Sequence, residues 1–196
     1  MKLEEAFSGC KTKRGRLWKF DGVDKSCSEE KEPFDWTKHL SGEQVQGLSP
    51  VNLETGEVLF LGLDLDLKKK PEEICRNIWS KIGTQYFCYR TMGGKWRVVE
   101  HLDDWIGVEE AKDRAKDLEK RVEAIGYKCD KEKTLPQSYN LKDEKPGAWW
   151  FMPYHNEDTH CYSPGGLKLT KSQTEFRIKY KNHPIVVASI GMVGKG

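Results

Sequence analysis

The sequence lacks most of the features that assign a chain to a specialised class of protein. Its six cysteines are scattered over 196 residues with no pair at CxxC spacing, which argues against a disulfide scaffold and against a paired structural zinc site. No signal-peptide pattern precedes the first cysteine, and no apolar run reaches transmembrane length. These absences predict a cytoplasmic protein with reduced thiols and no membrane partner.

The chain also lacks an excess of charge of one sign. Charged residues make up 33% of it and apolar residues 37%, which predicts a modest core and a strongly charged surface in one substantial domain. The formal net charge of +2 neither requires nor excludes a nucleic-acid partner. Any basic binding surface must therefore be local, and its candidates are residues 11–16, 68–70 and 168–181.

The most strand-like run, VLFLGLDLDLKKK at residues 58–70, carries two carboxylates two positions apart. Because side chains alternate along a strand, the leucines at 59–67 should face a core while Phe60, Gly62, Asp64 and Asp66 share the other, working face. Two like charges on one strand face favour a hard divalent cation between them, and Mg²⁺ or Mn²⁺ prefers such oxygen ligands. The alternative is that both aspartates are solvated on the open face of a sheet.

The elements that follow predict an α+β fold. Helical spacing over residues 74–82 begins after Pro71, strands are expected at 85–90 and 95–102, a helix at 108–125 and a strand near 127–130. This order is that of an RNA-recognition-like βαββαβ core. We expect an irregular N-terminal subdomain wrapped over that core. The predicted boundaries are residues 1–50 for this subdomain, 51–180 for the core and 181–196 for a C-terminal strand or tail.

The hairpin after the first helix brings cations toward the aspartates. Arg90, Lys95 and Arg97 lie on its two strands, and Asp130 ends the strand after the long helix. Carboxylates that hold two metals, with cations over a polyphosphate, are what phosphoryl and nucleotidyl transfer require. Asp130 is the first candidate for a third carboxylate, with Asp103 and Asp104 as alternatives. The alternative for the three basic residues is that they are solvated on a surface hairpin and bind no ligand.

Several phrases, in order over residues 36–176, resemble the archaeo-eukaryotic primase superfamily, and most closely its phage, plasmid and TOTE conflict-system members. They are the lead-in His39-Leu40-Ser41-Gly42 with Gly47 and Pro50, the Asp-x-Asp strand LGLDLDL, the turn Arg90-Thr91-Met92-Gly93-Gly94-Lys95-Trp96, the pair Cys129-Asp130, the GAWWFMPYH phrase at residues 147–155 and Gly166-Leu167. The family's catalytic core is an RNA-recognition-like unit, in agreement with the order of elements predicted above.

The resemblance implies a DNA primase or primase-polymerase that performs template-dependent nucleotidyl transfer by a two-metal mechanism. Its catalytic residues and ligands of Mg²⁺ or Mn²⁺ would be Asp64, Asp66 and Asp130. Its nucleotide- and nucleic-acid-binding residues would be Arg90, Lys95, Trp96, Arg97 and His155. The implied partners are a single-stranded DNA template, nucleoside triphosphates and a replicative helicase, in a bacterial or archaeal cytoplasm and with a phage gene as one origin.

One position departs from the family pattern, because Trp96 stands where the family has a phosphate-binding histidine. A tryptophan offers a face that stacks on a base or sugar, and Lys95 or Arg97 would then take over the phosphate. The alternative function is a catalytically degenerate module of the same fold that binds nucleic acid or protein. Two further alternatives are an unrelated soluble domain with surface aspartates, and a zinc site at His155, His160 and Cys161.

Overall fold

The structure is a computed structural model that describes residues 7–10, 15–18, 32–41, 44–91, 93–154 and 161–162. The strands are β1 (Gly15–Trp18), β2 (Val45–Leu48), β3 (Val51–Asn52), β4 (Glu57–Leu65), β5 (Tyr86–Arg90), β6 (Trp96–Gly107), β7 (Trp150–Phe151) and β8 (Cys161–Tyr162). The helices are α1 (Trp36–Ser41), α2 (Pro71–Lys81) and α3 (Val108–Ala124), and a 3₁₀ turn spans Lys131–Lys133. The fold is therefore α+β, as predicted.

Two antiparallel sheets build the molecule. The larger has the strand order β3-β4-β6-β5-β8, and the smaller has the order β1-β2-β7. The strand predicted near residue 129 is reduced to isolated bridges, in which Cys129 pairs with Leu65 and Leu135 with Gly62 on the free side of β4. Strand, helix, strand, strand and helix thus follow in the predicted order, whereas a complete βαββαβ unit remains a prediction. The predicted strand or tail at 181–196 lies outside the described residues.

Helices α2 and α3 cover one face of the larger sheet. A proline suits the first turn of α2, because the N–H groups there have no acceptor within the helix and proline has no N–H. Ile74 and Ile78 are buried on the side of α2 that faces the sheet. The stripe predicted on α3 is confirmed, because its apolar positions are all buried: Val108, Ala111, Ala115, Leu118 and Val122. They pack with Leu61, Leu63 and Leu65 of β4, so this part of the predicted leucine face is core, whereas Leu59 is only partly buried.

The opposite face of the sheet is also covered, and the prediction that it is open was wrong. Phe60, Phe87 and Val99 on this face pack in one buried cluster with Trp150 and other residues, which are Phe7, Leu48, Tyr89, Leu135, Met152, Tyr154 and Cys161. Gly62 makes room for this layer, since a Cβ atom there would stand only 2.6 Å from the Trp150 ring. The aspartate face is consequently an interior surface over most of its length.

A buried histidine holds the covering layer in place. The Nδ1 atom of His39 accepts a hydrogen bond from the backbone N–H of Gln46 at 3.1 Å. Its Nε2–H therefore donates to the carbonyl oxygens of Met152 and Pro153, at 3.1 and 3.0 Å. His39 thus connects α1, β2 and the chain that follows β7, and it fixes β7 over the sheet.

The five cysteines that the structure describes are buried and are not in disulfides, and Cys27 lies outside the described residues. In the described part of the chain, no helix combines the length and the apolar character needed to cross a membrane.

Candidate active site

Asp64 is buried at the covered face of the sheet, with 2% of its surface exposed. It lies on β4 directly opposite Arg97 of β6, so the two side chains project to the same side. Arg97 Nε donates a hydrogen bond to Asp64 Oδ1 at 3.0 Å, in an ion pair whose side chains are 10% and 3% exposed. The register of β6 against β4 therefore gives the first predicted ligand a buried cationic neighbour.

Several further contacts hold the Arg97 guanidinium. Its Nη1 donates to the Tyr89 hydroxyl at 3.2 Å and to the Phe151 carbonyl oxygen at 2.9 Å. Its central carbon lies 4.5 Å from the centre of the Trp150 ring, a cation–π distance. Burial raises the pKa of the Tyr89 hydroxyl to about 12, so the phenol stays neutral beside this charge. The buried pair is thus accommodated by two further hydrogen bonds and a cation–π contact.

Asp66 differs from Asp64 because it lies one residue beyond the end of β4 and is exposed. Its Oδ1 forms an ion pair with Lys95 Nζ at 2.5 Å, with side chains 40% and 33% exposed. The hydrogen bond from Lys95 and its charge lower the pKa of Asp66, aided by the more distant Lys128 and Lys133. The same hydrogen bond raises the pKa of Lys95, and the charges of Asp66, Asp64 and Asp130 add to that effect.

Asp130 lies beside the end of β4 because the backbone around it pairs with that strand. We call this region, with Asp64, Asp66 and Asp130, the aspartate corner. The Asp130 N–H donates to the Asp64 carbonyl oxygen at 2.7 Å, and the Asp66 N–H donates to the Lys128 carbonyl oxygen at 2.9 Å. Its carboxylate is paired with Lys133 Nζ at 2.6 Å. The fold thus places the backbone of residues 128–130 beside the end of β4, although Asp130 follows Asp64 by 66 positions in the chain (130 minus 64).

The donor chemistry of this corner fits a hard divalent cation, because all three candidate ligands are carboxylates. The Lys95 ammonium contacts Asp66, and the charges of Asp64 and Asp130 also contribute to raising the pKa of Lys95. Within the described ranges, however, no three His, Cys, Asp or Glu side chains lie close enough to hold an ion as they stand. The carboxylates are instead neutralised one by one, by Arg97, Lys95 and Lys133.

A cavity of about 300 Å³ opens beside the buried pair. Arg97 and Lys133 contribute cations to its lining, and Trp149 and Trp150 contribute aromatic rings; the other lining residues are Gly47, Glu132, Ala148 and Phe151. Arg97 Nη2 has no hydrogen-bond partner in the part of the chain that the structure describes. The cavity therefore offers two cationic side chains and apolar walls to a ligand.

The predicted nucleotide-binding residues have separate locations. Trp96 is fully buried on the helix side, where its Nε1 donates to the Lys69 carbonyl oxygen at 3.1 Å. The expectation that its face stacks on a ligand was therefore wrong, because it pairs with Leu65 and shares that residue's core side of the sheet. Arg90 bonds across its own turn to the Gly94 carbonyl oxygen at 3.4 Å. His155 lies outside the described residues.

The alternatives for the third ligand and for zinc are also located. Asp103 and Asp104 are exposed near the far end of β6, away from Arg97. Cys161 is buried in β8, and the other two residues of the zinc alternative, His155 and His160, lie outside the described residues. Asp130 remains the candidate that the fold brings to Asp64.

Sequence reasoning missed Tyr89, Trp150 and Lys133 as parts of the site. Tyr89 and Trp150 stood in apolar, aromatic runs that predict strands, and their role depends on facing Arg97. The signal that could have found Tyr89 is register, because Tyr89 pairs with Arg97 across β5 and β6 just as Asp64 does across β4 and β6. For Lys133 the sequence gives no signal beyond its closeness to Asp130.

A scan against models of protein families and a search of curated proteins both found no match for this chain.

Proposed function

We propose that this protein is a template-dependent nucleotidyltransferase, a DNA primase or primase-polymerase, whose metal ligands are Asp64, Asp66 and Asp130. The observation that carries the proposal is the pairing of residues 128–130 with the end of β4, which brings the backbone of Asp130 within 2.7 Å of that of Asp64. The effect of all three carboxylates on the Lys95 ammonium supports the same grouping. The sequence resemblance supplies the reaction class.

The three carboxylates would hold Mg²⁺ or Mn²⁺, which when bound activates the attacking oxygen and stabilises the leaving oxygen of a phosphoryl centre. The protein's own contribution is positional. Asp64 is fixed by Arg97 and by strand β4, and Asp130 by its backbone bond to Asp64. Asp66 is the exposed member and so the one that meets a ligand from solvent first.

Arg97 is the residue we assign to a phosphate group of the nucleotide. It follows the glycine-rich turn and projects to the aspartate face, whereas Trp96 projects to the core. Its guanidinium is held by Asp64, Tyr89 and the Phe151 carbonyl oxygen, so its position is fixed at no further cost in side-chain entropy. Lys133 adds a second positive charge to the same cavity.

The proposed substrates are nucleoside triphosphates and a single-stranded DNA template, and a replicative helicase is the proposed partner. The proposed setting is the cytoplasm of a bacterial or archaeal cell, with the gene carried by a phage as one origin.

Primer extension on a single-stranded template tests the proposal. The full chain with Mn²⁺ or Mg²⁺ should incorporate deoxynucleotides or ribonucleotides, and Asp66→Asn should lower the rate at least about 100-fold because it removes a proposed ligand. Asp113→Asn is the matched control, since this exposed helical aspartate pairs only with Lys116 in the described contacts. Absence of product from the unaltered chain, both on a primer and de novo, would exclude the enzyme.

A second function is favoured by one observation, namely that each aspartate already has a cationic partner. Such a charge-compensated corner is also what a non-catalytic module of this fold would contain. In that case Arg97 and Lys133 would bind the phosphates of a nucleic acid and no reaction would follow.

Salt-dependent binding to single-stranded DNA separates the two functions and the unrelated alternative. Binding that weakens with salt, without product in the extension assay, assigns the module. Binding together with product assigns the enzyme. Absence of binding at low salt contradicts both functions and leaves a domain whose aspartates serve the fold.

A further inference from the structure

Trp149 lines the cavity beside Arg97 and Lys133, and its side chain is partly exposed. Among the residues that the structure describes, its indole forms no hydrogen bond, ring contact or cation–π contact. The neighbouring Trp150 is buried, donates from Nε1 to the Lys133 carbonyl oxygen at 2.8 Å and packs on Arg97. A large aromatic side chain that lines a cavity without bonding inside the fold is available to a ligand.

The backbone on both sides of Trp149 is held, so its ring is presented from a fixed position. Three residues before it, the Pro146 carbonyl oxygen accepts a hydrogen bond from the Ser49 hydroxyl at 2.5 Å. One residue after it, Trp150 pairs with β2. The Trp150 side chain also joins β7 to the 3₁₀ turn that carries Lys133. The fold therefore keeps the aromatic ring and the cation at one cavity, which lowers the cost of ordering them around a ligand.

The cations at this cavity are already compensated, which limits how strongly they attract a phosphate group by charge alone. Arg97 is paired with Asp64 at 3.0 Å and Lys133 with Asp130 at 2.6 Å, and Glu132 adds a negative charge to the lining. Because each carboxylate repels an incoming anion, a ligand with phosphates needs a second kind of contact here. An aromatic ring supplies one, since every base has a π face that stacks on it.

We propose that Trp149 is the base-contacting residue of the nucleotide site, where its indole stacks on the base of a nucleoside triphosphate whose phosphates reach Arg97 and Lys133. This inference rests on the proposed function, because it takes the cavity beside Arg97 as the nucleotide site. The cavity volume of about 300 Å³ lies at the lower end of small-ligand sites, which suits one nucleotide better than a length of strand. Trp149 thus has the stacking role from which Trp96 is excluded by its burial.

The test compares dATP with inorganic tripolyphosphate as ligands of the full chain, by isothermal titration calorimetry at low salt without added metal. Only dATP has a base and a sugar, so the ratio of the two affinities measures their contribution. Trp149→Leu should weaken dATP binding about tenfold and leave tripolyphosphate binding unchanged. Trp149→Phe keeps an aromatic ring and should restore most of the dATP affinity. Lys133→Met removes a charge and no ring, so it should weaken both ligands by the same factor.

Trp105→Leu is the matched control for Trp149→Leu. Trp105 is also a partly exposed tryptophan, but it lies toward the other end of β6 from Arg97. Its substitution should leave both affinities unchanged. Should Trp149→Leu fail to fold by circular dichroism, Trp149→Met makes the same comparison.

The outcomes separate this inference from the proposed function. Equal dATP affinities in Trp149→Leu and the unaltered chain overturn the stacking role and leave the enzyme standing. Weaker dATP binding in Trp149→Leu, with tripolyphosphate binding intact and no extension product from the unaltered chain, supports the stacking role and contradicts the enzyme.

Three further results would overturn the stacking role. An equal loss for dATP and tripolyphosphate in Trp149→Leu would mean that Trp149 shapes the cavity without contacting the base. Weaker binding of single-stranded oligo(dT) with unchanged dATP binding would assign Trp149 to the strand. Absence of dATP binding by the unaltered chain would remove the nucleotide site itself.

Discussion

Asp64 and Asp66 stand two positions apart on one chain segment, yet their ion pairs differ in every physical respect. The Asp64–Arg97 pair is nearly inaccessible to solvent and is extended by hydrogen bonds to Tyr89 and to the Phe151 carbonyl oxygen. The Asp66–Lys95 pair is open to water on both sides. The difference arises because β7 and Trp150 cover the sheet at Asp64, while β4 has ended before Asp66.

The comparison indicates that the two aspartates of the Asp-x-Asp motif have different roles. A buried pair resists loss of either partner, since the remaining charge would be left without water. An exposed pair contributes little to stability and exchanges partners freely. We therefore expect substitutions at Asp64 and Arg97 to lower stability in addition to affecting their proposed ligands, and those at Asp66 and Lys95 to act mainly on ligand binding.

The largest expected effect comes from breaking the buried pair. Arg97→Met should lower the free energy of unfolding by about 3–5 kcal/mol, because it leaves the Asp64 carboxylate buried without a counter-ion. Urea unfolding at low temperature measures it. The double variant Asp64→Leu with Arg97→Met removes both charges and should recover most of the loss; a loss below about 1 kcal/mol in the single variant would show that Asp64 reaches water.

Alkaline pH should lower the free energy of unfolding through the buried hydroxyl of Tyr89. Its pKa is raised from 10.0 to about 12, so the folded chain keeps a proton that the unfolded chain releases. This contribution is fully present below about pH 10 and is lost as pH rises to about 12, a change of about 2–3 kcal/mol.

Tyr89→Phe should remove that part of the pH dependence when unfolding is compared at pH 8 and pH 12. The difference between the two chains isolates Tyr89, because burial also raises the pKa of Tyr86, Tyr154 and Cys129, and these groups remain in both. Identical pH dependence in the two chains would place the Tyr89 hydroxyl in contact with solvent.

Filling the space under Trp150 should produce a smaller loss. In Gly62→Ala the new methyl group would lie 2.6 Å from the Trp150 ring and 2.8 Å from the Val98 carbonyl oxygen, so the covering layer must shift at a cost of about 1–3 kcal/mol. Gly107→Ala is the control, because no atom lies within 4 Å of a Cβ placed there. Thermal unfolding compares them, and equal melting temperatures would contradict the close packing of Trp150 on β4.

The smallest expected effect on stability is at the exposed pair. Asp66→Asn should leave the urea midpoint unchanged within measurement error, because its ion pair is solvated, while the same variant loses primer extension as described above. A clear loss of stability in Asp66→Asn would mean that the two pairs act as one buried network. The contrast between Asp64 and Asp66 would then disappear.

Local patterns predicted the elements well, and long-range pairing decided the rest. The stripe on α3 and the alternation along β4 depend on neighbours a few positions away, and both were confirmed. That the aspartate face is covered depends on β7 pairing with β2, and nothing in residues 58–70 contains that information.

The roles of Trp96 and Arg97 likewise depend on long-range strand pairing, which local sequence patterns do not show. Which of them points to the aspartates is decided by the register of β6 against β4, with Trp96 opposite Leu65 and Arg97 opposite Asp64. A resemblance in sequence phrases aligned Trp96 with the family's histidine and could not see this alternation. The gathering of Asp64 and Asp130 was predictable because an expected strand ended at Asp130.

The position of β7 has a consequence for how the protein is made. Trp150 and the Phe151 carbonyl oxygen complete the surroundings of Arg97, although Asp64 and Arg97 lie 86 and 54 positions before Trp150 and Phe151 respectively (150 minus 64, 151 minus 97). A chain emerging from the ribosome carries all three aspartates well before it can bury the first of them. The Asp64–Arg97 pair therefore acquires its complete buried surroundings only after residue 151 has emerged.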